Sequence, residues 1–265
     1  HRKPFVKQLL ILGIISGSLF IFYALLYRPY MSRANSFGCF DDCMNFGGAY
    51  FMQQGRQLYS EVFFNHQPIM AYLSYGVLEV FKPASIFELL LNHKQFLFLF
   101  GFLSSIFIIR RFLWAGALFV LFYETTKFYL FGDRFIAESF IIYPLVYLTG
   151  LVWYRFQNKK IFPVEYIAAA FLTWFVVFSR EPYVPLAGIE FLLLLGIPKT
   201  RLKQISYAFF ALLSIATFLI QPINEYLYSI FYVSLKGPGS DEITGANILG
   251  LGILKILFYP LFVFF

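Results

Sequence analysis

Two adjacent carboxylates, Asp41 and Asp42, and an imidazole, His66, fall within one polar stretch, FDDCMNFGGAYFMQQGRQLYSEVFFNHQPIMAY, at positions 40–72. A carboxylate held beside a hydroxyl can take its proton as a new bond forms. Paired acids next to a phosphate also make a hard oxygen site that suits a divalent cation such as Mg or Mn, with Asp42 the metal candidate. Further along the chain come the cations Lys94, Arg134 and Arg180, with Glu138 and Glu181 close by in sequence. Fixed cations that face growing negative charge stabilise it without reorganising, and the planar Arg fork suits phosphate. Each residue also has a structural reading. The Asp pair can cap a helix, the basic residues can snorkel to a membrane boundary, and Arg180 can pair with Glu181.

The elements that must position these residues are set by composition. Of the 265 residues 60% are hydrophobic, 22% aromatic and only 13% charged, and the mean hydropathy is +0.70. Soluble domains hold about 45–50% apolar and about 25% charged residues. The chain therefore reads as an all-α polytopic transmembrane protein, with one transmembrane domain over 1–265. Its apolar runs reach roughly 17–25 residues, enough to cross about 30 Å of hydrocarbon. The first, about Gln8 to Tyr27, follows Arg2, Lys3 and Lys7. It is too long for a signal-peptide core and lacks a small-x-small cleavage site, so it reads as a retained anchor. Further spans are expected near 95–112, 113–131, 136–155, 163–179, 183–198, 205–221 and 248–265, which makes eight.

Charge orients these spans. If the short segment 68–82 lies along the membrane surface, Arg110-Arg111, Arg155 to Lys160 and Lys199 to Lys203 all join the N-terminus on the cytoplasmic side. If it crosses, that agreement is lost. The polar residues then face the exoplasm together, in a first loop at 28–94 with juxtamembrane helices, at Gly132-Asp133-Arg134, at Ser179-Arg180-Glu181 and in a loop at 222–247. The expected location is a plasma or inner membrane with the active site exoplasmic. The net charge of +7 sits in short clusters between spans, a pattern of loop anchors that argues against nucleic acid as a partner.

Within the first loop, Asp41 or Asp42 can cap a helix of about a dozen residues that stops near Gly55. Pro68 suits the first turn of a second helix, with Asn65 or His66 just before it. Two such helices would bring Asp41, Asp42 and His66 near one another. Cys39 and Cys43 are four residues apart, a poor spacing for a bridge on one helix, so they read as free buried thiols. No Cys/His array resembles a zinc site. The stretch KGPGSDEITG at 236–245 has the Gly, Pro, Ser and Asp of a flexible loop.

An acidic pair just after the first transmembrane helix, then Gly-x-x-Leu-Tyr and Asn-His-Gln-Pro-Ile-x-x-Tyr, resembles the first exoplasmic loop of GT-C glycosyltransferases. This class includes protein O-mannosyltransferases and lipid A aminoarabinose transferases. Asp41, Asp42, Gly55, Tyr59, His66, Pro68, Ile69 and Tyr72 take the family's positions. The resemblance extends to NHKQFLFLFGFLSSIFIIRRF, to GDRFIAESFIIYPLVYL with Glu138, and to FSREPYVPLAG, where Arg180 stands in place of Lys. Gln67 stands where the family commonly has a second Pro, and His66 where many members have Lys. Members are commonly longer, so the C-terminal part of the family is expected to be absent here.

The resemblance implies transfer of a sugar from a polyprenyl-phosphate donor to a lipid, glycan or protein acceptor, with inversion at the anomeric carbon. Asp41 is the expected base, with Asp42 the second candidate. His66, Lys94, Arg134, Glu138, Arg180 and Glu181 are expected to face the donor phosphate and sugar, and Tyr59, Pro68 and Tyr72 to support the loop. A divalent cation is an optional cofactor, since some members act without one. A transporter or flippase of lipid-linked glycan precursors is the alternative, and would place ionisable or helix-breaking residues near the bilayer midplane. A non-catalytic lipid-binding relative is a third reading.

Overall fold

The computed structural model describes residues 3–33, 41–197 and 200–233. The expected span 248–265, residues 234–247 of the expected second loop, Lys199 and Cys39 lie outside them. The described chain is all-α, with a single isolated bridge between Leu58 and Val62. Its helices are α1 (Lys3–Ser32), α2 (Asp41–Gln53), α3 (Ile69–Phe81), α4 (Ile86–Phe112), α5 (Trp114–Thr126), α6 (Ala137–Phe156), α7 (Pro163–Val177), α8 (Val184–Leu195), α9 (Arg201–Ile220) and a short α10 (Ile223–Leu227). Turns of 3-10 helix occupy Lys127–Leu130 and Glu181–Tyr183, and a π-helical turn, Tyr228–Val233, follows α10.

Among the described residues, four helical stretches are long and apolar enough to cross a membrane: Gly13–Ser32, Ile86–Phe112, Ala137–Phe156 and Arg201–Ile220. They mark the chain as a membrane protein, with fewer spans than the eight expected. The runs at 113–131, 163–179 and 183–198 become helices of 13, 15 and 12 residues. At 1.5 Å per residue these cover about 18–23 Å, against about 30 Å of hydrocarbon. Average hydropathy does not register what shortens them. The helix α5 tightens into a 3-10 turn at Lys127 and the chain reverses at Phe131, φ 57°. Past the end of α7, the Ser179 hydroxyl donates to the Phe175 carbonyl at 2.6 Å. The helix α8 stops at Gly196, whose φ of +56° costs glycine little.

The described chain divides into two compact units. The first comprises residues 1–45 and 76–146. Its longest helix, α4, starts with a reciprocal cap. The Ser85 hydroxyl accepts from Glu88 N at 3.3 Å, and the Glu88 carboxylate accepts from Ala84 N at 2.7 Å. The helix α1 is tied to α4 by a buried bond between the Tyr23 and Ser105 hydroxyls, 2.8 Å, and by Tyr23 against Phe98 and Phe102. A single residue, Leu113 at φ 53°, joins α4 to α5. So tight a reversal leaves no room for a side chain at Gly116, where an added Cβ would lie 2.7 Å from the Ile108 carbonyl oxygen.

The second unit comprises residues 46–75 and 147–265. Pro163 opens α7, and the Glu165 carboxylate accepts from Phe162 N at 2.7 Å. The helix α7 packs against both α8 and α9, with the Trp174 indole donating to Thr217 at 2.9 Å. At the far end of α8, Arg155 donates to the Leu194 carbonyl and Lys203 to the Leu195 carbonyl. Cations here meet the negative end of the α8 dipole. Two of the basic clusters used to orient the chain thus converge on one helix end.

Gly116→Ala is expected to lower stability by about 1–3 kcal/mol, the usual cost of overpacking. Gly13, with nothing near its missing Cβ, is expected to gain about 0.5–1 kcal/mol as Ala. Thermal unfolding of both variants in detergent checks the contrast.

Candidate functional site

In the first unit, Asp41 and Asp42 occupy the first turn of α2, where carboxylates meet the positive end of a helix. Asp42 is buried, and its Oδ1 accepts from Cys43 N at 3.1 Å. The expected stop holds, since α2 closes at Gln53 and Gly55 takes φ +81°. One turn into α2, Asn45 donates to the Phe135 carbonyl at 3.1 Å. The buried His93 ring of α4 meets Phe135 edge-on at 4.7 Å. These contacts pin the start of α2 to the segment that carries Asp133 and Arg134.

Lys94, next in sequence to His93, pairs with Asp133 at 3.1 Å and lies over the Tyr30 ring at 5.4 Å. Arg134 stacks on Phe131 at 5.5 Å. It precedes α6, whose first turn holds Glu138. Cys43 corrects the expectation of free thiols, because it is disulfide-bonded.

The same unit holds a buried ion pair that the sequence reading did not name. Lys127 lies 2.6 Å from the Glu124 carboxylate, with side-chain exposures of 0% and 1%. Tyr143 donates to the other Glu124 oxygen at 2.5 Å. The Lys127 ammonium also lies over the Tyr30 ring at 4.9 Å and the Tyr123 ring at 5.8 Å. Near the end of an apolar run, Lys127 is fully enclosed. The available signal was a Glu and a Lys three residues apart, on one helical face, inside an apolar run.

In the second unit, the Asn65-His66-Gln67-Pro68 segment docks on Ser179-Arg180-Glu181. Ile69 N donates to the Phe178 carbonyl at 3.1 Å, and Arg180 Nη1 lies 2.9 Å from His66 Nδ1. A guanidinium only donates, so Nδ1 accepts and the ring proton sits on Nε2. Tyr59 donates to the His66 carbonyl at 2.7 Å. Tyr226 donates to the Gln67 amide oxygen at 2.7 Å, and Gln221 to the Tyr72 hydroxyl at 2.9 Å. Pro68 accepts from Tyr72 N and so opens α3. Tyr59 is held at φ +72°, a strained conformation for a bulky side chain that surrounding contacts must enforce.

Burial pushes the Glu181 carboxyl up, against backbone hydrogen bonds and the nearby Arg180 and His66. Burial likewise pushes the Tyr59 and Tyr226 hydroxyls up, so both stay protonated as donors. Sequence reasoning named His66, Arg180, Glu181, Tyr59, Pro68 and Tyr72, all within this unit. It missed Tyr226 and Gln221, which carry no motif. Among the described residues no three His, Cys, Asp or Glu side chains converge on a common point. A cation at Asp42 would therefore need oxygens from a ligand or water to complete its shell.

No family model, curated protein or solved structure matches this chain. The chemistry must be argued from the residues.

Lys127→Met leaves Glu124 buried without its cation and is expected to cost about 3–5 kcal/mol. Adding Glu124→Gln should recover most of that loss, measured by thermal unfolding. For Glu181 the folded-state value is raised above the ordinary 4.5. Its stabilising contribution is full below the unfolded value and falls as pH rises through the folded one. Glu181→Gln should flatten the melting temperature's decline with pH above about 4.5, and an unchanged profile would refute the assignment.

Proposed function

We propose that this protein is a membrane glycosyltransferase that moves a sugar from a polyprenyl-phosphate donor to an exoplasmic hydroxyl, with inversion. The observation that carries the reading is the pairing of His66 with Arg180 at 2.9 Å across 114 positions of sequence. It joins two segments that resemble the family's donor-facing motifs. The part-buried Lys94–Asp133 pair and the Asp41-Asp42 turn, both in the first unit, support the same reading.

In the step that the family resemblance implies, Asp41 takes the acceptor's hydroxyl proton as its oxygen bonds to the anomeric carbon. The bond from that carbon to the donor phosphate oxygen breaks, and its electron pair stays on the phosphate. Arg180, with His66 Nε2–H as a second donor, meets the charge that develops there. Asp42 stands in the first turn of α2; were a divalent cation, Mg or Mn, to bind, Asp42 would help hold it and it would supply positive charge beside the phosphate. Lys94, Arg134 and Glu138 remain candidates for the donor's sugar and phosphate.

The buried Glu124–Lys127 pair favours a second reading, since enclosed ionisable residues mark transport pathways in some membrane proteins. Such a protein would move a lipid-linked glycan precursor and transfer nothing.

The test is transfer from a panel of radiolabelled polyprenyl-phosphate sugars by the full-length protein. Asp41→Asn and Arg180→Ala are each expected to lower kcat by at least about 100-fold, the scale of a lost base or a lost charge donor. Wild-type protein that transfers from no donor, or an Asp41→Asn variant at full rate, would sink the proposal.

A further inference from the structure

The second unit holds an open cavity of about 520 Å³ between the turn that follows Tyr59 and the α10 region. That volume lies within the range of small-molecule sites, about 300–1,000 Å³. Phe63 and Tyr228 stand at its edge, 65% and 57% exposed. Glu61, Glu225, the Asn224 amide and the Ser60 and Ser229 hydroxyls supply its polar groups, and no Lys or Arg lines it. Glu61 is held in place, its Oε2 accepting from Gln57 N at 2.7 Å. Tyr59 forms one wall and also donates to the His66 carbonyl, so the cavity adjoins the candidate site without sharing its cations.

We infer that this cavity binds a neutral saccharide. A pyranose presents an apolar C–H face that an aromatic ring covers well, and a rim of hydroxyls. A carboxylate has about four lone-pair sites and can accept from two neighbouring hydroxyls at once, while an amide both donates and accepts. Two carboxylates, one amide and two exposed rings around a cavity of this size match both faces of such a ligand. The same carboxylates repel a phosphate, so the cavity does not suit the anionic end of a lipid-linked donor. Its role as the acceptor subsite rests on the transferase reading above; saccharide binding itself does not.

Saturation-transfer NMR on the full chain in detergent, with maltotriose, chitotriose or mannotriose and no donor present, tests the inference. Wild-type protein is expected to transfer saturation to the C–H protons of at least one of these sugars. Tyr228→Ala and Glu225→Gln are each expected to raise its Kd by about tenfold, the scale of a lost aromatic contact. Both positions are exposed, and unchanged unfolding curves would show that the variants fold. No signal from any of the three sugars overturns the inference. So does a signal that both variants retain, or one seen only with spermidine, which would make the cavity a cation site. Because no turnover is measured, a negative result here is distinct from failure of the transferase assay.

Discussion

An apolar helix gains little by exchanging lipid for another apolar helix, so buried polar contacts and close backbone approach must select its neighbours. Each of the two units of this chain is organised by one such polar knot. In the first, Glu124, Lys127 and Tyr143 connect the end of α5 to α6, while the Tyr30 ring of α1 lies beneath the Lys127 ammonium. In the second, His66 and Arg180, with Gln67 and Tyr226, bind a connecting loop to the turn between α7 and α8 and to the chain beyond α9. Breaking either knot by removing one partner leaves a buried polar or charged group unsatisfied, which costs more than the bond itself contributes.

The same constraint explains what could be read in advance. Composition and run length suffice for the helical class and for α1, α4, α6 and α9, because the cost of transferring a long apolar run is additive along it. The limits of α2 were legible because Asp41-Asp42 and Gly55 act through local backbone chemistry. The shortening of α5, α7 and α8 was not, since hydropathy averages over Lys127, Ser179 and Gly196 without seeing the bonds they make. Lys127 was not singled out for a related reason. A lysine near the end of an apolar run has the look of an interfacial anchor, and the i,i+3 spacing to Glu124 does not by itself tell a surface pair from the enclosed one seen here.

Gln67 shows how a departure from a motif can be informative. The resembling family commonly places a proline there, which has no side-chain hydrogen bond to offer. Here the amide accepts from the buried Tyr226 hydroxyl. That bond holds the chain after α9 against the His66 loop and fixes one wall of the cavity that Tyr59 borders. Tyr59 supplies the complementary constraint. Its left-handed backbone and its bond to the His66 carbonyl orient the imidazole's own backbone, so strain in the turn is offset by contacts at the candidate site.

The chemistry of the cations also ranks them as anion binders. Lys94 is an ammonium on a flexible stem, and it pairs with Asp133 within the first unit. Arg180 carries a planar guanidinium, held at one N–H against an imidazole nitrogen. A guanidinium has five N–H donors in a fixed fork that matches two phosphate oxygens at once, whereas an ammonium acts as a point charge. For a leaving phosphate whose charge grows during the reaction, donors already fixed in that geometry are the useful quantity, because they stabilise the charge without reorganising. On the transferase proposal, that favours Arg180 over Lys94 as the group that would meet the donor.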